Sequence, residues 1–277
     1  MVALVHDVDA AFEMFTQRLG FPVSWPVESQ AAWRNGAVWL GNCSLELLTP
    51  VPGATAGGAF FGRALASRGE GLFLIAFEPD SFDRAVEALN ANGVPNSVYV
   101  SPRGEEARQY RSVFFASRAT GGAQCFFCEY DPPFVPVDGG RGDMKVKKLD
   151  HVVIATGDLD DALQRWEQAL GLKPDAALDR PLGAGFKVAR LPIGDAFLEL
   201  VQPVATEGRF YEQVQERGEG LFSISVEVDD LDEAVGYLRG KGVKVSGAEP
   251  SIWPGARLAR ISREDTHGVS IQLIERK

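Results

Sequence analysis

The run RGEGLF at 68–73 occurs again at 217–222, 149 residues further along the chain. One such match could arise by chance, but its flanks agree in order at nearly the same spacing. At the same offset Ala85-Val86 answers to Ala234-Val235, and Gly93-Val94 to Gly242-Val243. Upstream, LELLTP at 45–50 answers to LELVQP at 198–203, and Asp7 with Leu19-Gly20 answers to Asp158 with Leu170-Gly171. Small drifts of offset are what loop insertions leave behind. The chain is therefore an internal duplication: a first copy at 1–130, a linker at 131–148 where Pro, Gly and Lys cluster without periodicity, and a second copy at 149–277.

A finer repeat lies inside each copy. In the second, LDHVVIA at 149–155 predicts a strand. Asp158 then leads into LDDALQRWEQAL, whose apolar residues Leu159, Ala162, Leu163, Trp166, Ala169 and Leu170 recur at helical spacing, and Gly171 ends the helix. Strand-like runs follow near 175–180, 186–191 and 196–201. The pattern restarts with FSISVEV at 222–228, a helix over LDEAVGYLRGKG, and runs near 243–247, 256–262 and 269–274. The unit is strand, helix, three strands, four times in the chain. The expected fold class is α+β: tandem paired βαβββ modules, half-open barrel-like mixed sheets with helices outside, and a small-molecule cleft on the concave side.

Bulk properties narrow the function. A formal charge of −10, from 28 basic against 38 acidic residues, disfavours phosphate backbones, so nucleic acid is not an expected partner. No apolar run reaches the roughly 20 residues that span a bilayer, so no membrane partner is expected either. The start lacks a basic, signal-like segment, and three cysteines, Cys43, Cys125 and Cys128, are too few for a disulfide framework; a cytoplasmic protein is the expectation. Cys125 and Cys128 form a CxxC spacing, but on a strand they point to opposite faces and read as packing residues.

The opening LDHVVIATGDLDDA, FLELVQP, RGEGL before a strand and THGVSIQLIE near the end resemble the vicinal oxygen chelate superfamily: glyoxalase I, bleomycin-resistance proteins, fosfomycin-resistance enzymes and extradiol dioxygenases. The methylmalonyl-CoA epimerase branch, with its RGEG and its Thr-(His/Gly)-Gly turn, is the nearest resemblance. It runs throughout 149–276 and more weakly over 1–130.

That resemblance implies a divalent metal held by four strand positions of one module. In the second copy these positions fall on His151, Glu199, Ser223 and Gln272. Two are conventional ligands, Gln272 could offer its carbonyl oxygen, and a neutral serine is a poor ligand. The implied cofactor is one divalent metal (Ni, Co, Mn, Fe or Zn) in the second copy, or none. In the first copy the histidine position falls before Met1, and Glu46, Leu74 and Phe126 take the rest; a leucine and a phenylalanine cannot ligate, so this cleft is expected to hold no metal.

The implied activity is of the lyase, isomerase or epimerase type, removal of a proton next to a carbonyl, with Glu199 as the candidate base. Phe222, Ser223, Arg190 and Trp253 are candidate substrate-binding residues. The expected partner is a small metabolite, an acyl thioester or an aromatic compound, bound by a monomer or homodimer. A metal-free binding protein of the bleomycin-resistance kind is the alternative, favoured by the missing histidines and by the apolar Phe222, Leu74 and Phe126. A ring-cleaving dioxygenase needs two histidines and a carboxylate; His151, Ser223 and Gln272 supply one of the three. Plainer readings stand beside these. Glu46 and Glu199, in otherwise apolar strands, must face a polar cavity, pair with a base such as Arg190, or lie at an edge. A lone His can be a satisfied core residue, His267 a turn residue, His6 merely exposed. Trp33, Trp39 and Trp253 can simply fill cores.

Overall fold

A computed structural model describes the chain except residues 52, 54–55, 102–108 and 179–184. The first copy contributes β1 (Val2–Leu4), α1 (Val8–Glu13, extended by a wider turn over Met14–Arg18), β2 (Val23–Ser29), β3 (Trp33–Trp39), β4 (Ser44–Pro50), α2 (Ala56–Arg68), β5 (Gly71–Phe77), α3 (Phe82–Ala91), β6 (Asn96–Val100), β7 (Gln109–Phe115) and β8 (Gln124–Asp131). The second contributes β9 (Val146–Ala155), α4 (Leu159–Leu170), β10 (Ala176–Leu178), β11 (Phe186–Ile193), β12 (Ala196–Pro203), α5 (Arg209–Arg217), β13 (Gly220–Val228), α6 (Leu231–Gly240), β14 (Glu249–Pro250), β15 (Ala256–Ile261) and β16 (Ile271–Arg276). β9 begins three residues inside the stretch read as linker.

The strands form two eight-stranded mixed sheets of identical order, β2-β3-β4-β1-β5-β8-β7-β6 and β10-β11-β12-β9-β13-β16-β15-β14. This is the α+β fold expected of tandem βαβββ modules. β9 is nearly continuously buried because it is central in its sheet. β10 and β14 lie at the sheet edges; β14 is two residues long, and residues 179–180 of the expected run 175–180 lie outside the described residues. The expected strand near 243–247 reduces to a single bridge, Val245 to Ile261.

Two compact units result, and each draws on both copies. The first holds Met1–Phe73, Val135–Val152 and Ser223–Lys277; the second holds Leu74–Phe134 and Val153–Phe222. Phe15, Leu19, Leu40 and Leu45 are fully buried in the first, and Trp166, Leu191 and Leu198 in the second. Each such side chain contributes about 1.5–3 kcal/mol of burial.

The repeated RGEG has the same structural role twice. Gly69 (φ +70°) and Gly218 (φ +75°) take the left-handed turn after α2 and α5, and Gly71 (φ +132°) and Gly220 (φ +128°) open the next strand. Between them, Glu70 accepts the His6 backbone N–H at 2.7 Å and Glu219 that of Gly157 at 2.5 Å. Each glutamate thus pins the turn after a first strand. Each also packs under the glycine turn that precedes a last strand of the other copy: a Cβ on Gly268 would strike the Glu70 carbonyl, and one on Gly122 would come within 2.9 Å of Glu219.

Candidate functional site

In the first unit, Asp150 and His151 lie on the central strand β9, 1% and 3% exposed. A carboxylate in an apolar strand needs strong partners, and Asp150 has them. The Arg276 guanidinium on β16 donates to both its oxygens, at 2.6 and 2.7 Å, and the His151 ring lies against it, Nδ1 to Oδ2 at 2.6 Å. Burial pushes the Asp150 carboxyl up, but the hydrogen bonds from Arg276 and His151, with their charges, outweigh it and hold the group well below the usual carboxylate range. An ionised carboxylate only accepts, so Nδ1 carries the ring proton, and in the neutral ring Nε2 is the basic nitrogen.

On β13, Ser225 stands in register with Gln272 on β16, and its hydroxyl donates to the Gln272 Oε1 at 3.3 Å. Two residues earlier on the same face is Ser223, fully buried, whose hydroxyl has no hydrogen-bond partner. Across β16, Arg260 stands opposite Gln272 and pairs with Glu249. Trp253 is 5% exposed, with its backbone N–H donating to the Ser251 hydroxyl at 3.2 Å. From the first copy, half-buried Glu46 accepts from the Asn35 side-chain amide at 2.7 Å. Burial raises the Glu46 carboxyl above its ordinary range, against the hydrogen bond from Asn35.

In the second unit, Glu199 on β12 is 4% exposed and stands in register opposite Arg190 on β11. The guanidinium makes a two-pronged contact with Asp175, at 2.9 Å for each hydrogen bond, and lies 4.3 Å over the Phe197 ring. Phe222, at the end of this unit, is half-buried. Leu74 is buried, and Phe126 stacks on Phe114 at 4.9 Å. Cys125 and Cys128 are both buried; burial pushes the Cys125 thiol up, out of the reactive range. His267 sits in the turn before β16, at 3.6 Å from Glu70, and His6 is exposed.

Two family models match this arrangement. One, described as a glyoxalase-like domain, covers residues 1–148; the other, the glyoxalase/bleomycin resistance protein/dioxygenase superfamily, covers 150–257. The chain belongs to this superfamily. Human mitochondrial methylmalonyl-CoA epimerase is 27% identical over 141 residues, 50% of this chain and 80% of that protein. The uncharacterized protein YqjC of Bacillus subtilis is 27% identical over 136 residues, 48% of this chain and 94% of its own length. Among solved structures, a mutant of 4-hydroxymandelate synthase from Streptomyces coelicolor covers 100% of this chain and 91% of its own at a TM-score of 0.75 and 16% identity, which is a likeness of fold.

Membership in the superfamily raises the question of a metal. Among the described residues no three His, Cys, Asp or Glu side chains gather in a group that could hold one. At the third and fourth expected positions stand Ser223 and Gln272, the latter already accepting from Ser225. This donor set does not fit a four-ligand site, and no step below runs through a metal. Asp150 and Arg276 escaped the sequence reading. The signal for Asp150 was an acid beside a histidine inside an apolar run; for Arg276, 126 residues away, there was none.

Proposed function

We propose that the chain is an enzyme of the lyase or isomerase kind that removes a proton next to the carbonyl of a small acyl-thioester or related oxygenated metabolite. The observation that carries this reading is the buried Asp150–His151 pair anchored by Arg276. A histidine oriented by a buried carboxylate is suited to accept a proton at Nε2, while the adjacent carboxylate stabilises the imidazolium that forms. Ser223 supports the second requirement: a buried hydroxyl without a partner can donate to the oxygen on which enolate charge develops. The acyl thioester as substrate class rests on the likeness to methylmalonyl-CoA epimerase.

The test is deuterium incorporation at the α-carbon of methylmalonyl-CoA and of a panel of acyl thioesters and 2-oxo acids in D2O, read by mass spectrometry with chelator-treated and metal-replenished protein. Exchange is expected, falling by about 100-fold or more in His151→Ala and by about tenfold in Ser223→Ala, in line with the loss of a general base and of one enolate donor. Glu199→Gln, run in parallel, separates the bases: a larger loss there than in His151→Ala assigns the proton to Glu199. No exchange in any preparation would overturn the enzymatic reading. It would leave the binding-protein reading, which the apolar Leu74 and the stacked Phe114–Phe126 pair favour.

A further inference from the structure

β6 is the last strand of the first sheet and lies wholly within the second unit. Among the described residues it pairs only with β7. The ladder between the two strands shows which backbone groups are left over. Ser101 donates its N–H to the Tyr110 carbonyl at 2.9 Å, and Pro95 accepts the Ala116 N–H at 3.2 Å. In an antiparallel pair the bonds to one neighbour recur at every second residue. Ser97 and Tyr99 therefore also turn their N–H and C=O groups to β7, and Asn96, Val98 and Val100 turn theirs outward.

That edge is unguarded. β14 holds the same place in the second copy and consists of Glu249 and Pro250, a charge and a residue without an N–H. β2, at the other end of the first sheet, carries Pro26 and two register shifts. The linker also covers it: the Val137 and Asp138 N–H groups donate to the Ser24 and Val23 carbonyls at 2.8 and 2.9 Å. β6 has no charged residue, no proline and no register shift, and its Val98 and Val100 are 51% and 65% exposed. An edge of this kind is a template for another strand.

We propose that β6 pairs with β6 of a second copy of the chain, antiparallel about a two-fold axis at Val98, and so makes a homodimer. The strand fits itself in that register. Val98 faces Val98 of the second copy, and Asn96 faces Val100 of the second copy. These are the residues with outward groups, so each pair exchanges two hydrogen bonds. No like charges meet across the seam. On the other face of the sheet Ser97 faces Tyr99 of the second copy. Ser97 stands in register beside Phe114, which is 43% exposed, and is small enough for that tyrosine to lean over it onto the Phe114 ring. A second copy thus supplies both the backbone groups and the ring. The pairing uses up both edges, so it closes at two chains. It is independent of the chemistry proposed for His151, which lies in the first unit.

Sedimentation velocity of the full chain over concentrations from about 1 to 300 μM tests it. A five-residue seam is a small interface, so the expected Kd is about 10–100 μM. Val98→Lys and Val98→Glu each set two like charges face to face and should each weaken self-association by about tenfold or more. An equimolar mixture of the two should recover it, because opposite charges then meet. Val98→Pro removes an outward N–H, leaves the ladder to β7 intact, and should weaken association alike. Val204→Lys, at an exposed apolar position elsewhere in the second unit, should leave it unchanged. Thermal melts establish that the variants fold, and if a charged one does not, the proline variant is read. A monomer at every concentration would overturn the proposal and leave the edge to a different chain. A dimer undiminished in the folded β6 variants, or a mixture of the charged pair that stays monomeric, would overturn it as well.

Discussion

At the scale of single residues, Asp150 carries the sharpest consequence. Its folded-state carboxyl lies below its ordinary value, so the unfolded chain binds its proton more readily. The stability it contributes is complete above the unfolded value near about 4 and is lost as the pH falls from there through the folded value. Asp150→Asn should cost about 3 kcal/mol at pH 7, because the Arg276 charge loses the buried Asp150 carboxylate. In thermal melts the gap between wild type and variant should stay constant from pH 8 to about 5 and close below about 4. A gap that widens in acid would show that Asp150 is not the ionised hub of this cluster. The residue scale is also where the sequence was least legible. His151 and Ser223 could be placed because both stand at positions of a resembling motif. Arg276 could not, since only the folded sheet brings β16 to a carboxylate on β9. Asn35 gave no signal either, because an amide in a strand looks like any surface position until its burial is known.

Among elements, the four helices that follow first strands are each entered through a residue whose side chain accepts backbone N–H groups: Asp7, Ser81, Asp158 and Asp230. For the three aspartates this was readable, because an acid just before an apolar 3.6-residue stripe is a helix start. Asp158 accepts from the Asp161 N–H at 3.1 Å and Asp230 from the Glu233 N–H at 2.9 Å. Asp158→Ala and Asp230→Ala should each cost about 1 kcal/mol by chemical denaturation, and the double variant should cost their sum, since the caps share no partner. A double variant that loses much less than the sum would mean the two caps belong to one coupled network. The helices α2 and α5 were missed for a definable reason. Each ends at the arginine of the RGEG run, in a stretch that the strand, helix, three-strand unit left without an element. The glycines of that run supply positive φ at a helix-to-strand turn, and its glutamate is spent on backbone N–H groups. Sequence identity between the copies therefore marked folding geometry, whereas the residues proposed for chemistry, His151 and Ser223, stand where the copies differ.

For the molecule as a whole, the duplication read from the sequence predicts two sheets of like order, but not which repeats share a core. The first unit joins the first repeat to the linker and to the last repeat. Arg18 donates to the backbone carbonyls of Lys241 and Gly242. The Asn42 side chain brackets the Leu149 backbone, donating to its carbonyl at 3.2 Å and accepting its N–H at 2.9 Å. Gly41, at φ +89°, lies so close to Lys147 that a Cβ would strike its carbonyl. Tyr237 reaches Asp143 at 3.0 Å, and Arg141 reaches Asp229 at 2.6 Å. In the second unit Arg165 on α4 donates to the Arg118 carbonyl at 2.8 Å, and the fully buried Trp166 meets Phe77 edge-on. A fragment of residues 1–130 would keep all eight strands of its sheet yet lose these partners from both units. Two repeats without their packing surfaces expose apolar area worth about 25 cal/mol per Å², enough to outweigh a typical margin of about 5–15 kcal/mol. The fragment should therefore lack a cooperative melt on its own and regain one when residues 131–277 are supplied in trans. If 1–130 instead unfolds cooperatively at the melting temperature of the full chain, the sheets rather than the mixed units are what fold, and the contacts of Arg18, Gly41 and Trp166 add little.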